Sequence, residues 1–505
     1  MNKKVNTKGL NEKEKVAIEE LSRDLKANKF VNGDMQFTDI TNRDYFLKAY
    51  GDVIRYCITW NKFLYWNNTN WQVDNRGRVE EKVVEFIHQM YRGLRVINDK
   101  ILSAAFEKHL IKSESFRRIQ AMIGLLKMCK DIKAEDWEFD SDIYLFNIEG
   151  LTLNLKTGKA KEPNCQDLIT KKSRFVYEKN ADCPTWKMFL NQIFNQDKDL
   201  IHFIQKAMGY SLSGDVGEQC LFILWGTGAN GKSTFLNVLH YLFGDYACST
   251  MIETFMKKNS EQSNDLARLK GARLVTTSEI EQGKPLSESL IKQITGGDEI
   301  TARFLYGEYF SFKPTFKIFM ATNHKPKIRG ADNGIWRRIK MIPFTVTIPP
   351  EQRDKALTEK LIAENSGILN WLIAGYAMWR KEGLGEPDAI REANEEYRMD
   401  MDAVGTFVND CFDIDATLRW RLPNQMLYQT YIKWCNVNNE RVMSQKWLTM
   451  RMSEKVLSEW LVIMEGFGWG WHGNRNGRSD CERLSSIAKS VTKKIGESLE
   501  AFFTC

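Results

Sequence analysis

The sequence predicts an α/β core with a mixed α+β region before it and a helical region after it. Between residues 221 and 345, short apolar runs alternate with helically spaced segments, as in a parallel sheet whose strands are joined by helices. Aromatic and β-branched stretches mixed with helical ones precede this core, and the pattern after residue 350 is mostly helical. The length of 505 residues predicts two to four domains, and the chain has no internal repeat.

The first strand of the core runs into a glycine-rich turn. Leu221 to Trp225 (LFILW) is a short apolar run, and the next eight residues (GTGANGKS) fit the phosphate-loop pattern G-x-x-x-x-G-K-[ST]. In such a turn, backbone N–H groups surround phosphate oxygens, so glycine is required at the tight places. We expect ATP here, with Lys232 on its β- and γ-phosphates and Ser233 on Mg²⁺. The residues expected to bind the nucleotide are Gly226, Thr227, Gly228, Ala229, Asn230, Gly231, Lys232, Ser233 and Thr234.

The composition excludes several classes of protein. The 505 residues carry a net charge of +7, and 13 Lys/Arg against 7 Asp/Glu fall between Arg76 and Lys133. This basic segment suits a polyanionic partner, although solvated helix faces have the same composition. The ten cysteines form no C-x-x-C pair and no apolar run approaches 18 residues. We therefore expect a cytoplasmic protein with reduced thiols, no zinc site and no membrane segment.

Three more segments have polar side chains next to predicted strands. The strand in ARLVTTSEIE leads to Glu279, which we expect to orient the attacking water or to bind Mg²⁺ through water. The strand in FKIFMATNHKP ends at Asn323, whose amide suits holding that water. Arg337 and Arg338 precede the strand in NGIWRRIKMIPF, and an arginine from a neighbouring subunit can stabilise transition-state charge. With Lys232, these residues are the predicted catalytic set.

The run from Gly226 to Phe344 resembles superfamily III helicases, specifically their phage, plasmid and poxvirus primase–helicase branch. The segment IKQITGGDEITARFLYGEYFSFKP (291–314) matches the element that this family inserts before its sensor strand. The resemblance implies a homo-oligomeric ring, a hexamer, in which this element is a β-hairpin that grips one DNA strand. It therefore implies DNA contacts for Lys292, Arg303 and Tyr306, although packing within the hairpin would equally explain Tyr306.

The resemblance also implies how the subunits would cooperate. ATP would lie between neighbours, with the phosphate loop, Glu279 and Asn323 from one subunit and an arginine from the next. Arg338 aligns better with the family's arginine finger than Arg337. Hydrolysis would move the hairpin 3′ to 5′ along single-stranded or forked DNA, in the cytoplasm of a bacterial host.

The likeness continues outside the core and weakens towards the C-terminus. FNIEGLTLNLKTG and ADCPTWKMFLNQIF resemble the domain that precedes the ATPase in this branch. Residues 427–454 resemble its C-terminal DNA-binding domain and suggest a winged-helix-like helix-turn-helix. Two departures stand out, because Ser278 replaces the first of two paired acids and residues 465–505 do not form an evident wing.

These patterns define six predicted regions. They are a flexible N-terminal arm (1–40), an N-terminal α+β domain (41–180), a helical segment leading into the ATPase (181–215), an AAA+-like P-loop ATPase core of superfamily III type (216–350), a helical segment (351–410), and a C-terminal helix-turn-helix domain with a tail (411–505).

We expect an ATP-driven, ring-forming replicative DNA helicase of a phage, plasmid or other mobile element. Fewer than 45 residues precede the recognisable region, so priming is expected from a separate primase or polymerase. The alternative is an origin-binding initiator whose ATPase melts DNA without processive unwinding, with specific contacts near 444–451. A P-loop ATPase of another class, such as a signalling switch or packaging motor, is disfavoured by the inserted hairpin and by Asn323.

Overall fold

The computed structural model describes residues 5–27, 29–30, 36–257, 264–278, 284–305, 307–328, 333–411, 424–438, 440 and 442–452. The chain forms two compact units. Met1–Pro326 with Arg337–Ile390 make the first, and Lys327–Trp336 with Arg391–Cys505 make the second. The short segment before Arg337 therefore groups with the C-terminal residues, although the sequence predicts it inside the ATPase core.

The first unit begins with helices packed around an apolar core. Its first elements are α1 (Glu12–Lys26), α2 (Asp39–Tyr50), β1 (Ile54–Cys57), β2 (Lys62–Trp66), β3 (Trp71–Val73), α3 (Arg78–Met90), α4 (Lys100–Ser113), α5 (Phe116–Met128) and β4 (Lys133–Ala134). In α1, Ala17, Ile18, Leu21 and Leu25 lie on one face and are buried in this core. Within the predicted arm over 1–40, the short helix that the sequence suggests is thus a packed one, because its polar composition includes an apolar stripe at helical spacing.

A small mixed sheet follows, in the order β3-β2-β1-β4. β1 and β2 are antiparallel, with Ile54 opposite Tyr65, and β4 lies parallel to β1. Leu64 and Trp71 of this sheet are buried together with Phe139 in a small apolar cluster. The aromatic and β-branched stretch of residues 54–73 thus forms strands, as its composition predicts.

The next elements pack against the central α/β part of the chain rather than against the N-terminal helices. They are β5 (Leu145–Ile148), β6 (Leu151–Asn154), β7 (Lys159–Lys161), α6 (Pro184–Ile193) and α7 (Lys198–Tyr210). β5, β6 and β7 form an antiparallel sheet. Phe146 and Phe175 share one apolar cluster with Phe235 and Phe243. The boundary predicted at residue 180 therefore cuts through a packed unit.

The centre of the first unit is a five-stranded parallel sheet in the order β14-β8-β13-β10-β9. This confirms a mixed α/β fold with a parallel sheet. Leu221 stands opposite Ile318 on one side and Ile339 on the other. The elements of this part are β8 (Leu221–Trp225), α8 (Lys232–Phe243), β9 (Ala247–Ser249), α9 (Asn264–Ala267), β10 (Leu274–Ser278), α10 (Glu288–Gly296), β11 (Ile300–Ala302), β12 (Phe310–Phe312), β13 (Lys317–Thr322) and β14 (Ile339–Pro343). The helix that precedes β14 in sequence, α11 (Asn333–Trp336), belongs to the second unit.

The direction of the strand connections reverses at β8. The chain passes from β8 to β9 and β10 on one side, returns through β13, and reaches β14 on the other side. In open α/β sheets, the carboxyl ends of the strands at such a reversal border the crevice that binds ligands. The loop after β8 lies at this position.

Helices complete both units. α12 (Leu357–Ala363) and α13 (Asn365–Glu382) belong to the first, where Lys206 of α7 donates to Glu382 of α13 at 3.1 Å. The remaining helices are α14 (Asp388–Asp400), α15 (Ala403–Cys411), α16 (Asn424–Val437) and a helix over 445–452. In the second unit, Phe407, Tyr431 and Leu448 form an apolar cluster. Across the described ranges, no helix has the length and apolar character needed to span a membrane.

Candidate nucleotide-binding site

The glycine-rich turn connects β8 to α8 at the carboxyl edge of the sheet. A Cβ on Gly226 would lie 2.3 Å from the Phe344 carbonyl oxygen, so only glycine fits there. Gly231 has φ +85° and a Cβ on it would lie 2.5 Å from Ile193 Cγ2, so this position also requires glycine. The two glycines that the phosphate-loop pattern demands are thus required by the fold itself.

The loop has an open side and a buried side. Thr227, Gly228, Ala229 and Ser233 are exposed, whereas Asn230 is 3% exposed. Lys232 begins α8, so the N–H groups of its first turn face the open side of the loop. A helix N-terminus next to a glycine-rich turn has the geometry and dipole that bind phosphate.

Lys232 is buried at the centre of this site, with an exposed fraction of 6%. Its Nζ donates to the Gly226 carbonyl at 2.6 Å, to Asn230 Oδ1 at 3.1 Å and to Asn323 Oδ1 at 3.2 Å. These three bonds use all three N–H donors of an ammonium group. Burial lowers the pKa of Lys232.

Asn323 reaches Lys232 because of the strand order. β13 lies directly beside β8, with Thr322 opposite Trp225, so the residue after β13 lies next to the loop after β8. The predicted sensor residue and the predicted phosphate-loop lysine, 91 positions apart in sequence, are therefore in hydrogen-bond contact. A strand-end amide here can bind either the lysine or a phosphate oxygen.

The predicted acidic residue Glu279, and Glu281 after it, lie outside the described residues. The backbone of β10 is described as far as Ser278, which stands opposite Ala321 of β13. Of the two predicted Mg²⁺ ligands, only Ser233 is described, with its exposed side chain in the first turn of α8. Within the described ranges, no group of three or more His, Cys, Asp or Glu residues could hold a metal ion by itself. A hydroxyl beside a phosphate pocket nevertheless suits Mg²⁺ that is shared with nucleotide phosphates.

The two predicted arginines lie at the opposite edge of the sheet. The Arg338 carbonyl accepts a hydrogen bond from Leu221 N at 2.7 Å, at the amino end of β8. The five residues of β8 separate this point from the phosphate loop by about 16 Å. Neither arginine is therefore close to the phosphate loop of the same chain.

Arg337 and Arg338 also differ from each other. Arg338 is 8% exposed, and its guanidinium donates to Thr295 Oγ1 at 3.0 Å and to Gln219 Oε1 at 3.3 Å. Arg337 is exposed and donates to Gln219 Oε1 at 2.9 Å. Arg338, the better family match, is thus held by contacts within the chain itself, which the sequence pattern does not reveal.

The inserted segment contains a short hairpin. β11 and β12 are antiparallel, with Ala302 opposite Phe310, and Arg303 stands at the start of the exposed turn. The guanidinium of Arg303 lies 4.7 Å from the centre of the Tyr309 ring. Lys292 was predicted to lie in the hairpin, but it lies on α10, before the hairpin begins. Tyr306 is outside the described residues.

Sequence reasoning missed several exposed apolar residues in this turn. Phe304, Leu305 and Tyr309 have exposed fractions of 50%, 70% and 60%. Three large apolar side chains around a tight turn are a readable signal in FLYGEY, since turns are usually polar. Nothing in the sequence indicates that the Asn230 side chain is buried, because the phosphate-loop pattern allows any residue at that position.

Family models match three parts of the chain. A model described as D5 N terminal like matches residues 43–195, a family of unknown function (DUF5906) matches 224–338, and a Poxvirus D5 protein-like model matches 399–480. The second match spans the phosphate loop and both arginines. The third includes α15, α16 and the helix over 445–452.

Individual relatives come from DNA viruses and a virophage. "Putative helicase L207/L206" of Acanthamoeba polyphaga mimivirus is 31% identical over 62% of this chain and 36% of that protein. "Putative helicase V13" of Sputnik virophage is 23% identical over 73% of this chain and 50% of that protein. "Putative primase C962R" of African swine fever virus (isolate Tick/Malawi/Lil 20-1/1983) is 22% identical over 71% of this chain and 39% of that protein. The chain thus spans half or less of each of these relatives.

A solved structure is also similar. The apo structure of the NrS-1 C-terminal region is 12% identical, covers 84% of this chain and 94% of that chain, and has a TM-score of 0.49. Both ends of the chain match D5 models, and the relatives are named as helicases or primases. This confirms the resemblance to the primase–helicase branch: the chain carries one region that matches the D5 N-terminal model and another that matches the Poxvirus D5 model.

Proposed function

We propose that this chain is the ATPase and translocating part of a replicative DNA helicase encoded by a virus or another mobile element. The observation that carries the proposal is the contact of Lys232 with Gly226, Asn230 and Asn323, which joins a phosphate loop to a strand-end amide. The names of the viral relatives point the same way. The parallel sheet with β13 between β8 and β10 supports an AAA+-like core of superfamily III type.

The contacts of Lys232 suggest how ATP would engage the site. Since all three of its N–H donors are used, a phosphate oxygen that accepts from Lys232 must replace one of the three acceptors. Asn323 is the acceptor that comes from a different strand, so it is the one that can separate without unfolding the loop. Its amide then becomes available for the γ-phosphate or the attacking water, which makes release of Asn323 dependent on nucleotide binding.

Mg²⁺ would neutralise developing charge on the phosphates, with Ser233 and Glu279 as its proposed ligands. The chain's own residues do the rest. The loop N–H groups and the α8 N-terminus orient the phosphates, and Lys232 withdraws charge from the β- and γ-oxygens. Burial of Lys232 strengthens this interaction because water screens it poorly there.

We propose that an arginine from a neighbouring subunit completes the site in a ring, most simply a hexamer. The distance between the arginines and the phosphate loop within one subunit supports action across an interface. Exposure favours Arg337 over Arg338 as the group that reaches the neighbour, because Arg338 is bonded to Thr295 and Gln219 in its own subunit. Arg338 would then stabilise the fold by its hydrogen bond to Thr295 of α10.

We propose that the hairpin turn contacts single-stranded DNA. Arg303 stacked on Tyr309 offers one cation for a phosphate and one ring for a base, and Phe304 adds a second exposed ring. Lys292, on α10, would contact the DNA backbone beside the hairpin. A 3′-to-5′ direction, a separate primase or polymerase partner and a cytoplasmic site of action remain parts of this proposal.

The direct test is ATP hydrolysis with and without single-stranded DNA. Wild type should hydrolyse ATP in the presence of Mg²⁺, single-stranded DNA should accelerate the reaction, and Lys232→Ala should lose it. An exposed asparagine outside the loop, Asn191, supplies an Asn191→Ala control that should behave as wild type. Hydrolysis that DNA does not stimulate would favour a P-loop ATPase of another class.

An origin-binding initiator is a second candidate, favoured by the C-terminal helices. α16 and the helix over 445–452 share an apolar cluster through Tyr431 and Leu448, which supports a helix-turn-helix, and Lys446 and Trp447 are exposed on the second helix. An initiator would protect a defined sequence in footprinting, and Lys446→Ala would weaken that protection. Equal binding to random DNA would exclude it.

A further inference from the structure

We infer that the Asn230 side chain is a positioning residue for Lys232, and that it ties this lysine to the end of β14. The inference rests on the proposed ATPase function. Within the phosphate-loop pattern, Asn230 occupies a position where any residue is allowed, and its expected role is only to offer a backbone N–H to phosphate. Its side chain, however, is turned away from the open side of the loop and is 3% exposed.

The backbone explains this orientation. Ala229 before it has φ +57° and Gly231 after it has φ +85°, so Asn230 stands between two left-handed residues. Between these two residues the Asn230 side chain points inwards, while Ala229 before it is exposed. The left-handed Ala229 is unfavourable for a residue with a Cβ, which shows that the loop is held in this shape by its surroundings.

Both ends of the Asn230 amide are engaged. Oδ1 accepts a hydrogen bond from Lys232 Nζ at 3.1 Å, and Nδ2 donates to the Phe344 carbonyl at 3.3 Å. Phe344 follows β14 directly, and its N–H donates to the Trp225 carbonyl at 2.7 Å. Asn230 therefore bridges Lys232 and the end of β14. No other described side chain joins the two.

The Asn230 amide packs closely against the rest of the loop. A Cβ at Gly226 would lie 2.5 Å from Asn230 Nδ2, so the amide fills the space beside that glycine. Ala229 O accepts from Ile348 N at 2.8 Å, which fixes the loop to the segment after β14 a second time. Lys232 thus receives its position from two different strands, through Asn323 of the β13 end and through Asn230 at the β14 end.

A double-mutant cycle on ADP affinity tests the inference, because binding can be measured in inactive variants. We would titrate wild type, Asn230→Ala, Lys232→Ala and the double variant with fluorescent N-methylanthraniloyl-ADP and Mg²⁺. A charge-assisted hydrogen bond corresponds to about tenfold in affinity, so Asn230→Ala should weaken binding about tenfold in the wild-type background. In the Lys232→Ala background it should have almost no further effect, since it acts through the lysine.

Equal weakening by Asn230→Ala in both backgrounds would overturn the inference, since it would mean that Asn230 only supports the loop. So would an Asn230→Ala variant that binds like the Asn191→Ala control. If Asn230→Ala does not fold, as judged by its melting temperature, Asn230→Ser replaces it in the same cycle, with the same expected and contradicting results. Absence of both ADP binding and ATP hydrolysis in folded wild type would instead refute the proposed function.

Discussion

Truncating Arg338 and truncating Arg337 should damage the protein in opposite ways. Arg338→Ala removes a buried guanidinium that donates to Thr295 at 3.0 Å and to Gln219 at 3.3 Å. A hydrogen bond from a charged group contributes about 1.5–3 kcal/mol, and Gln219 keeps a second donor in Arg337, so the expected loss is about 3 kcal/mol. With an unfolding entropy of about 2.1 cal/mol/K per residue, a unit of this size shifts by about 1.3 °C per kcal/mol, so the melting temperature should fall by about 4 °C.

Arg337→Ala should leave the melting temperature almost unchanged, because surface substitutions seldom shift stability by more than about 0.5 kcal/mol. Its effect should be on hydrolysis, where an arginine acting across an interface contributes about 10³-fold or more to kcat. An equal mixture of the Arg337→Ala and Lys232→Ala variants should regain activity. In a ring assembled at random from the two, about a quarter of the interfaces combine an intact lysine from one subunit with an intact arginine from its neighbour. Calorimetry and ATP turnover are the assays. Normal melting of Arg338→Ala together with normal hydrolysis by Arg337→Ala would refute this reasoning.

Four further outcomes are expected. Asn323→Ala should lower kcat by about 10–100-fold with little change in ADP affinity, and equal losses in both would contradict a role in sensing the γ-phosphate. Gly231→Ala should cost at least about 1–2 kcal/mol in thermal unfolding, because its φ is +85° and the added Cβ would lie 2.5 Å from Ile193 Cγ2. Gly228→Ala, with no atom within 4 Å of the added Cβ, should melt as wild type. Tyr309→Ala should weaken single-stranded DNA binding about tenfold by fluorescence anisotropy, while Tyr241→Ala, which removes a similar arginine–tyrosine pair with Arg174, should not. Burial lowers the pKa of His109 from its usual 6.5, so on acidification the imidazole of the unfolded chain is protonated before that of the folded chain. Stability should therefore fall as the pH drops below about 6.5. His109→Gln should reduce that fall in a pH series of melting curves.

Local patterns predicted the centre of the fold well. The phosphate loop has a signature in eight consecutive residues, and Gly226 and Gly231 stand where backbone contacts forbid a side chain. Strand ends could also be identified, because apolar runs stop abruptly at polar residues such as Asn323. Proximity of Asn323 to Lys232 then depends only on β13 lying beside β8.

Long-range packing was harder to predict. The polar composition of residues 1–40 concealed the four apolar residues by which α1 packs, and nothing in the sequence groups 327–336 with the C-terminal unit. The burial of Arg338 depends on Thr295 and Gln219, which are distant in sequence. The inward direction of Asn230 follows from the φ angles of its two neighbours, and no residue type announces it.

Strand displacement is the most direct test of the central claim that hydrolysis at Lys232 drives movement along DNA. Forked duplexes with a single 3′ tail or a single 5′ tail would be offered to wild type and to Lys232→Ala, with ATP and Mg²⁺. The account predicts unwinding of the substrate with the 3′ tail only, and its loss in Lys232→Ala. Unwinding by Lys232→Ala at the wild-type rate, or ATP hydrolysis by wild type with no unwinding of either substrate, would contradict it.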